Sequence, residues 1–538
     1  MKNLIGIGLW CCFLLTQAGA QEFAFAPDGQ SDFSLERVEG YKLAVAQKVF
    51  DDIHRARGDY RLQKPTLVLN KKEGDVASFI PDKLQIILDE KAYDVCVSFG
   101  KDSLNALAAL LAHELIHYYE NHDWKRHFVR VNENLEAAHL IESLEEGLKQ
   151  EAQADYLGGF MAFSVGYNTY GIMPRLLVKI YEAYDRPSQL PGYPSLEERL
   201  KMVEGAMGQL QSLQIVFETA NLLTILEQYA DAAAYYKNIL QTFQGREIYN
   251  NAGVNAALAA LAITDAAEMP FVYPLELDPT SRLFGLKGND KEKEQRRAAL
   301  LTLALDCFEK VRVLDENYAP SYLNKACVLV MQREFEDADY LIKKGRKKTQ
   351  DATALADFTV LEGIMAAMEK DSLKAAELFA KASGQGSIWA RINAGVLQHS
   401  PEAGPGSSIP GKGVEEIEQF PLADFLASPN PDREVKVEEK VYCGIRQFKN
   451  SRIFIHYANS GKKYVLVQET QAGYPGRTLR NIGLGDDLDK VKAAYGQASR
   501  KLALSNGIVL VYPEFNLFFR MSNQSKVVSW GVFRKSSI

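Results

Sequence analysis

The chain has 538 residues, 47% of them hydrophobic, and a net charge of −7. That length exceeds what a single hydrophobic core supports, so two to four domains are expected. The mixed, mildly acidic charge leaves no basic groove or patch, which excludes nucleic acid as a partner.

Residues 1–20 read as a secretory signal peptide: Lys2 forms a short positive region, Leu4 to Leu15 an apolar run, and Ala18-Gly19-Ala20 a cleavage site before Gln21. The mature protein is therefore expected outside the cytoplasm, in a periplasm, at the periphery of an outer membrane, or extracellular. No later segment reaches the roughly 18 consecutive apolar residues of a membrane helix, so no integral membrane segment is expected. Cys11 and Cys12 lack the small preceding residue of a lipoprotein site. Cys96, Cys307, Cys327 and Cys443 are scattered without C-x-x-C spacing, giving neither a disulfide framework nor a thiolate zinc site.

Residues 39–57 have the pattern of an amphipathic helix. Short strands are expected at Thr66-Leu67-Val68-Leu69 and Gln85-Ile86-Ile87-Leu88, with an edge strand at Val76 to Ile80. The Ala/Leu-rich stretch 104–112 then leads as a helix into His113-Glu114-Leu115-Ile116-His117. On a helix, positions i and i+4 share a face, so both imidazoles can bind one metal ion while Glu114 reaches a bound water as general base. A third ligand is required. His122 follows too early for a metzincin, with no Gly between, which leaves a carboxylate. Residues 136–165 read as helical and offer two candidates. Glu151 is followed one turn later by Asp155, which can accept a hydrogen bond from a ligand imidazole and fix its tautomer. Glu136 has Leu140 where that supporting carboxylate belongs, so Glu151 is the better fit. Pro187, Pro191 and Pro194 mark a loop near 185–195, and a helix from Leu196 to about Leu210 is expected to close the domain.

Beyond 214 a helical repeat emerges. Tyr229, Ala232, Tyr236 and Ile239 have the second-helix spacing of a tetratricopeptide (TPR) unit. Ala304, Phe308 and Val311 repeat it, Ala338 follows Ala304 at the unit length, and Ala375, Phe379 and Ala382 give another copy. Small residues Ala220, Gly253, Ala326 and Gly363 fall where first helices would cross. An insertion at about 265–292, with Pro270, Pro274 and Pro279, is expected to protrude as a loop. A Gly/Pro/Ser-rich linker spans 400–414. The remaining 415–538 is β-rich, with strands at Arg452 to Tyr457, Tyr464 to Gln468, Ile508 to Tyr512, Leu517 to Arg520 and Val527 to Phe533, and one helix from Leu488 to Tyr495. It shows no catalytic constellation.

The residues His113-Glu114-x-x-His117, Glu151-x-x-Ala154-Asp155, Gly166-Tyr167 and Tyr193-Pro194-Ser195-x-x-x-Arg199 resemble the zinc metallopeptidase family of the CAAX-prenyl endopeptidase, HtpX and BepA. The similarity covers roughly residues 40–205, and BepA-like members also join this domain to TPR units. The resemblance implies a gluzincin endopeptidase with one zinc ion (Zn2+) per chain, held by His113, His117 and Glu151. Two differences stand out: the gap from His117 to Glu151 is short, and Tyr193 stands where many relatives have histidine. Tyr193 is a candidate hydrogen-bond donor to the oxyanion. The expected architecture is α+β: a zincin-like peptidase domain over 21–210, an all-α TPR solenoid over 214–400 and a small β-rich C-terminal domain. The expected function is peptide-bond hydrolysis in envelope or misfolded proteins, the repeats recruiting substrate or an envelope assembly complex. The alternative is a TPR-based chaperone or assembly factor with a latent zinc domain.

Overall fold

The computed structural model describes residues 41–538 apart from 72–73, 75, 121–145, 170, 188–194, 265–268, 278–280, 283–290, 399–413, 423–424, 426–429, 459–462, 505–506 and 536–538. The expected signal peptide, Glu136, Tyr193 and nearly all of the expected linker lie outside the described residues.

The fold is α+β. Helix α1 (Tyr41–Arg57) is followed by strands β1 (Thr66–Asn70), β2 (Ala77–Ile80) and β3 (Gln85–Asp89), then helices α2 (Glu90–Val97) and α3 (Ser103–Tyr119). β3 is central, pairing parallel to β1 and antiparallel to β2, which leaves β2 at the sheet edge as expected. Asp89 ends β3 and fastens the loop before β2, accepting hydrogen bonds from the backbone N–H groups of Gly74 and Val76 and from the Asn70 and Tyr184 side chains. α3 is buried around its whole circumference from Ala106 to Tyr119, the pattern of a central core helix. Helices α4 (Glu146–Ser164) and α5 (Ile172–Ala183) follow.

Helix α6 runs unbroken from Leu196 to Ile225. The helix expected to end near Leu210 instead continues into the first helix of the repeat region, because no proline interrupts it and Gly205 and Gly208 are absorbed within it. Antiparallel hairpins follow: α6 with α7 (Tyr229–Leu240), α8 (Arg246–Ala262) with α9 (Lys291–Leu314), α10 (Ala319–Met331) with α11 (Phe335–Arg346), α12 (Ala352–Met368) with α13 (Ser372–Gly384), and a final α14 (Ile388–Leu397). The small residues expected at helix crossings sit there for steric reasons. A Cβ on Gly253 would lie 2.7 Å from the Phe308 ring, and one on Gly363 2.6 Å from that of Phe379.

The insertion does not simply protrude. Its residues Phe271 to Glu276 pack inward, with Tyr273 and Leu275 buried, before the short hairpin β4 (Glu276–Leu277) and β5 (Ser281–Arg282). The prolines do break helix. The apolar side chains between them still seek burial, and their backbone groups find polar partners there.

Eight antiparallel strands complete the chain: β6 (Arg433–Glu438), β7 (Val441–Phe448), β8 (Ser451–Ala458), β9 (Lys463–Thr470), β10 (Arg500–Leu504), β11 (Gly507–Tyr512), β12 (Leu517–Ser522) and β13 (Val527–Lys535). Their order is β10-β11-β12-β13-β9-β8-β7-β6, with helix α15 (Leu488–Tyr495) between the two halves. Alternation along each strand gives two buried faces. Phe454, Val467 and Phe518 face the helical core, while Ile453, Ile455, Leu466, Phe519 and Trp530 form a second core with Ile417, Ile482, Val491 and Tyr495. The sheet is tied to α6 and α7 by polar contacts: Arg452 to Glu218 at 2.9 Å, Lys463 to Asp231, and the Tyr235 hydroxyl to His456 Nδ1 at 2.8 Å. His456 is thus a packed interface residue. Cys96, Cys307, Cys327 and Cys443 are free and buried. Among the described residues, no helix is long and apolar enough to cross a membrane.

Candidate metal centre

The site is built where α3, α4 and α6 meet. Ala and Leu residues favour helix through α3, so His113 and His117 fall one turn apart on one face. Both are buried, and their Nε2 atoms lie 3.0 Å apart. At 100° per residue, Glu114 sits about 60° around the helix from His117, bordering the same face. It is 9% exposed.

α4 supplies the carboxylates. Its approach to α3 rests on small residues: Ala154 is fully buried, and a Cβ on Gly158 would sit 2.9 Å from the carbonyl carbon of Ala112. Glu151 Oε2 lies 3.3 Å from His113 Nε2, and Glu151 Oε1 lies 3.5 Å from His117 Nε2. One ligand atom from each of His113, His117 and Glu151 can be chosen with all three within 4.8 Å of one another. Asp155 Oδ1 lies 2.7 Å from His113 Nδ1, accepting a hydrogen bond from its N–H and turning Nε2 toward the other ligands. Tetrahedral zinc with bonds of about 2.0–2.1 Å spaces its donors about 3.3 Å apart. The separations of 3.0, 3.3 and 3.5 Å bracket that value, and two imidazoles with a carboxylate are a donor set zinc accepts. The residues fit the ion.

Arg199 was legible only as the last position of the family resemblance, with no role. Its position follows from a capping box: Ser195 Oγ accepts from the Glu198 N–H while Glu198 accepts from the Ser195 N–H. That fixes the first turn of α6 and places the Arg199 guanidinium 2.6 Å from Glu151 Oε2 and 3.6 Å from Asp155 Oδ2.

The electrostatics follow from this packing. Burial alone would lower the His113 pKa, but the charge and hydrogen bond of Asp155, with those of Glu151, overcome it and push it up to about 10. Burial alone would raise the Glu151 carboxyl. The hydrogen bond from His113 and the charges of His113, Arg199 and His117 instead hold it well below the usual carboxylate range. The buried Asp155 and half-buried Glu151 carboxylates thus create a pocket that favours positive charge. The sequence candidates His113, His117, Glu151 and Asp155 converge, with Glu114 at their border. No known protein-family model matches the chain, and no curated protein matches it by sequence.

Proposed function

We propose that the chain is an exported zinc-dependent endopeptidase acting on envelope or misfolded proteins, with its helical hairpins, read as TPR units, recruiting substrate or an envelope assembly complex. The observation that carries this reading is the convergence of His113, His117 and Glu151 with Asp155 behind His113. His113, His117 and Glu151 would hold one zinc ion, which would supply Lewis acidity and lower the pKa of the attacking water towards ~7. The chain's own groups do the rest. Asp155 holds His113 in its ligating tautomer, and Glu114 takes a proton from the attacking water and returns it to the leaving amine. Strand β2, at the edge of the three-stranded sheet among the described residues, is proposed to pair with an extended substrate. Tyr193 is proposed as a donor to the oxyanion.

The test is Glu114→Gln. Purified variant and wild type are expected to hold equal zinc, one ion per chain, while casein cleavage is lost in the variant alone. Full proteolysis by Glu114→Gln would refute the base assignment, and zinc-free protein from zinc-replete medium would refute the site. A second reading, a chaperone or assembly factor with a latent zinc domain, draws support from the Arg199–Glu151 ion pair, which engages a ligand carboxylate. It predicts bound zinc with no hydrolysis by the wild-type protein.

A further inference from the structure

Three asparagines on three different helices are fully buried: Asn250 on α8, Asn324 on α10 and Asn393 on α14. Each buried amide is unfavourable unless its donors and acceptor are satisfied, and an apolar side chain would fill the same space without that requirement. All three are turned to one use. Asn393 accepts from the Val272 N–H at 2.8 Å and donates to the Val272 carbonyl at 2.9 Å. Asn324 does the same to Glu276, accepting at 2.8 Å and donating at 2.8 Å. Asn250 adds a second donor to the Glu276 carbonyl at 2.9 Å, and its own Oδ1 accepts from Asn324. Two residues of one segment, four positions apart, are thus gripped by both backbone groups, as a strand grips its neighbour.

Between the clamps the side chains are read. The Leu275 N–H bonds back to the Tyr273 carbonyl at 2.9 Å, a tight three-residue turn centred on Pro274. That turn sends Tyr273 and Leu275 into the helical layer at 2% and 1% exposure. The Tyr273 hydroxyl reaches Met368 Sδ at 3.7 Å, and the Phe271 ring lies 6.3 Å from that of Phe379. A surface that also engages the N–H and C=O of chosen residues has the chemistry of a peptide-binding site.

We infer that the face formed by α8, α10, α12 and α14 is a peptide-binding site for aromatic-Pro-aliphatic segments of other proteins, and that the chain's own Phe271–Glu276 is its resident, displaceable ligand. The inference gives the recruiting role of the hairpins a substrate class, and it stands on contacts separate from the metal centre. A tethered ligand acts at an effective concentration near ~1 mM, so a free peptide of equal intrinsic affinity is excluded until the tether is released or outcompeted.

The test uses the full chain carrying Glu114→Gln, so that probe cleavage and probe release are not confused. The probe is a fluorescein-labelled peptide of residues 269–277, followed by polarisation. Val272→Pro with Glu276→Pro removes both clamped N–H groups and should free the site, tightening probe binding at least about tenfold. Adding Asn393→Leu should abolish that gain, and a probe with Tyr-Pro-Leu scrambled should not bind. Absence of probe binding in a double-proline variant with wild-type helical content overturns the inference, as does a gain indifferent to Asn393→Leu. Should the double-proline variant fail to fold, amide exchange on the Glu114→Gln chain decides. Millimolar unlabelled peptide is expected to speed exchange at Val272 and Glu276, and unchanged protection overturns the proposal. Failure here leaves the hydrolase reading standing, and loss of hydrolysis leaves this one standing.

Discussion

Gly158→Ala puts the geometry of the metal centre under direct test. Elsewhere in a helix this substitution is favourable, by up to ~1 kcal/mol of helix propensity. At Gly158 the new methyl would lie 2.9 Å from the Ala112 carbonyl carbon and 3.0 Å from both the Ala112 oxygen and the His113 nitrogen. All three are backbone atoms that cannot rotate aside, and carbon contacts are comfortable only from about 3.5 Å, so α4 must recede by roughly 0.5 Å. Overpacking of this kind typically costs ~1–3 kcal/mol, which outweighs the propensity gain. The same retreat carries Asp155 and Glu151 away from α3. The 2.7 Å contact from Asp155 to His113 would stretch to about 3.2 Å, the outer limit of a good hydrogen bond. Loss of such support typically weakens metal binding by roughly 10–100-fold. Zinc titration against a competing chelator measures that loss, and thermal melting of the metal-free protein measures the strain. Gly205→Ala on α6 is the control, since its Cβ meets nothing within 4 Å among the described residues. It should gain up to ~1 kcal/mol and leave zinc affinity unchanged. Zinc affinity and melting in Gly158→Ala indistinguishable from wild type would refute the steric argument.

Other expectations follow from the same contacts. Arg199→Gln removes the cation that balances Glu151 and Asp155, so the metal-free protein should melt lower, and zinc should raise its melting temperature by more than in wild type. An equal zinc-induced rise would show that the guanidinium does not compete with the metal for Glu151. His54 gives a pH prediction. It is 4% exposed, its Nε2 has no hydrogen-bond partner among the described residues, and burial, aided by Lys64 against Asp51 and Asp59, lowers its pKa from 6.5 to about 4. The folded state therefore binds fewer protons than the unfolded one. Stability from this group is intact above the unfolded value and is lost as pH falls through 6.5 toward 4, by ~2 kcal/mol at pH 5. Denaturant titrations at pH 7 and about 5 should show that loss in wild type and a smaller one in His54→Leu; equal losses would remove His54 as the cause. Arg452→Met removes the 2.9 Å partner of the Glu218 carboxylate at the interface between α6 and the large sheet, and should destabilise by ~1–3 kcal/mol, whereas replacing Glu218 as well should recover much of it. Additive losses would show the two sites to be uncoupled.

These predictions draw unequally on what could be read beforehand, and the division has a physical cause. A five-residue motif on a strongly helical background declares its own geometry, because helix periodicity alone brings His113 and His117 together. Glu151 could be chosen over Glu136 because its supporting carboxylate lies on the same helix, one turn away. Arg199 gave no such local sign. Its role depends on the direction in which α6 leaves the Ser195 cap, a long-range fact whose only trace is a capping pair followed by a basic residue. The strands β6, β7 and β10 have no counterpart among the expected ones: β6 and β10 are edges of the large sheet, where charged side chains replace the apolar signature of central strands, and the interior β7 is only partly buried, with Gly444, Arg446 and Gln447 interrupting its apolar pattern. The asparagines of the helical layer are the most instructive case. Asparagine is a poor residue for an apolar helix interior, and three such positions were a visible local conflict. What resolves the conflict is a segment recruited from the insertion, which prolines alone had marked as a mere loop. Side chains that break a local rule while fully buried are satisfying something distant, and here that something is the backbone of Val272 and Glu276.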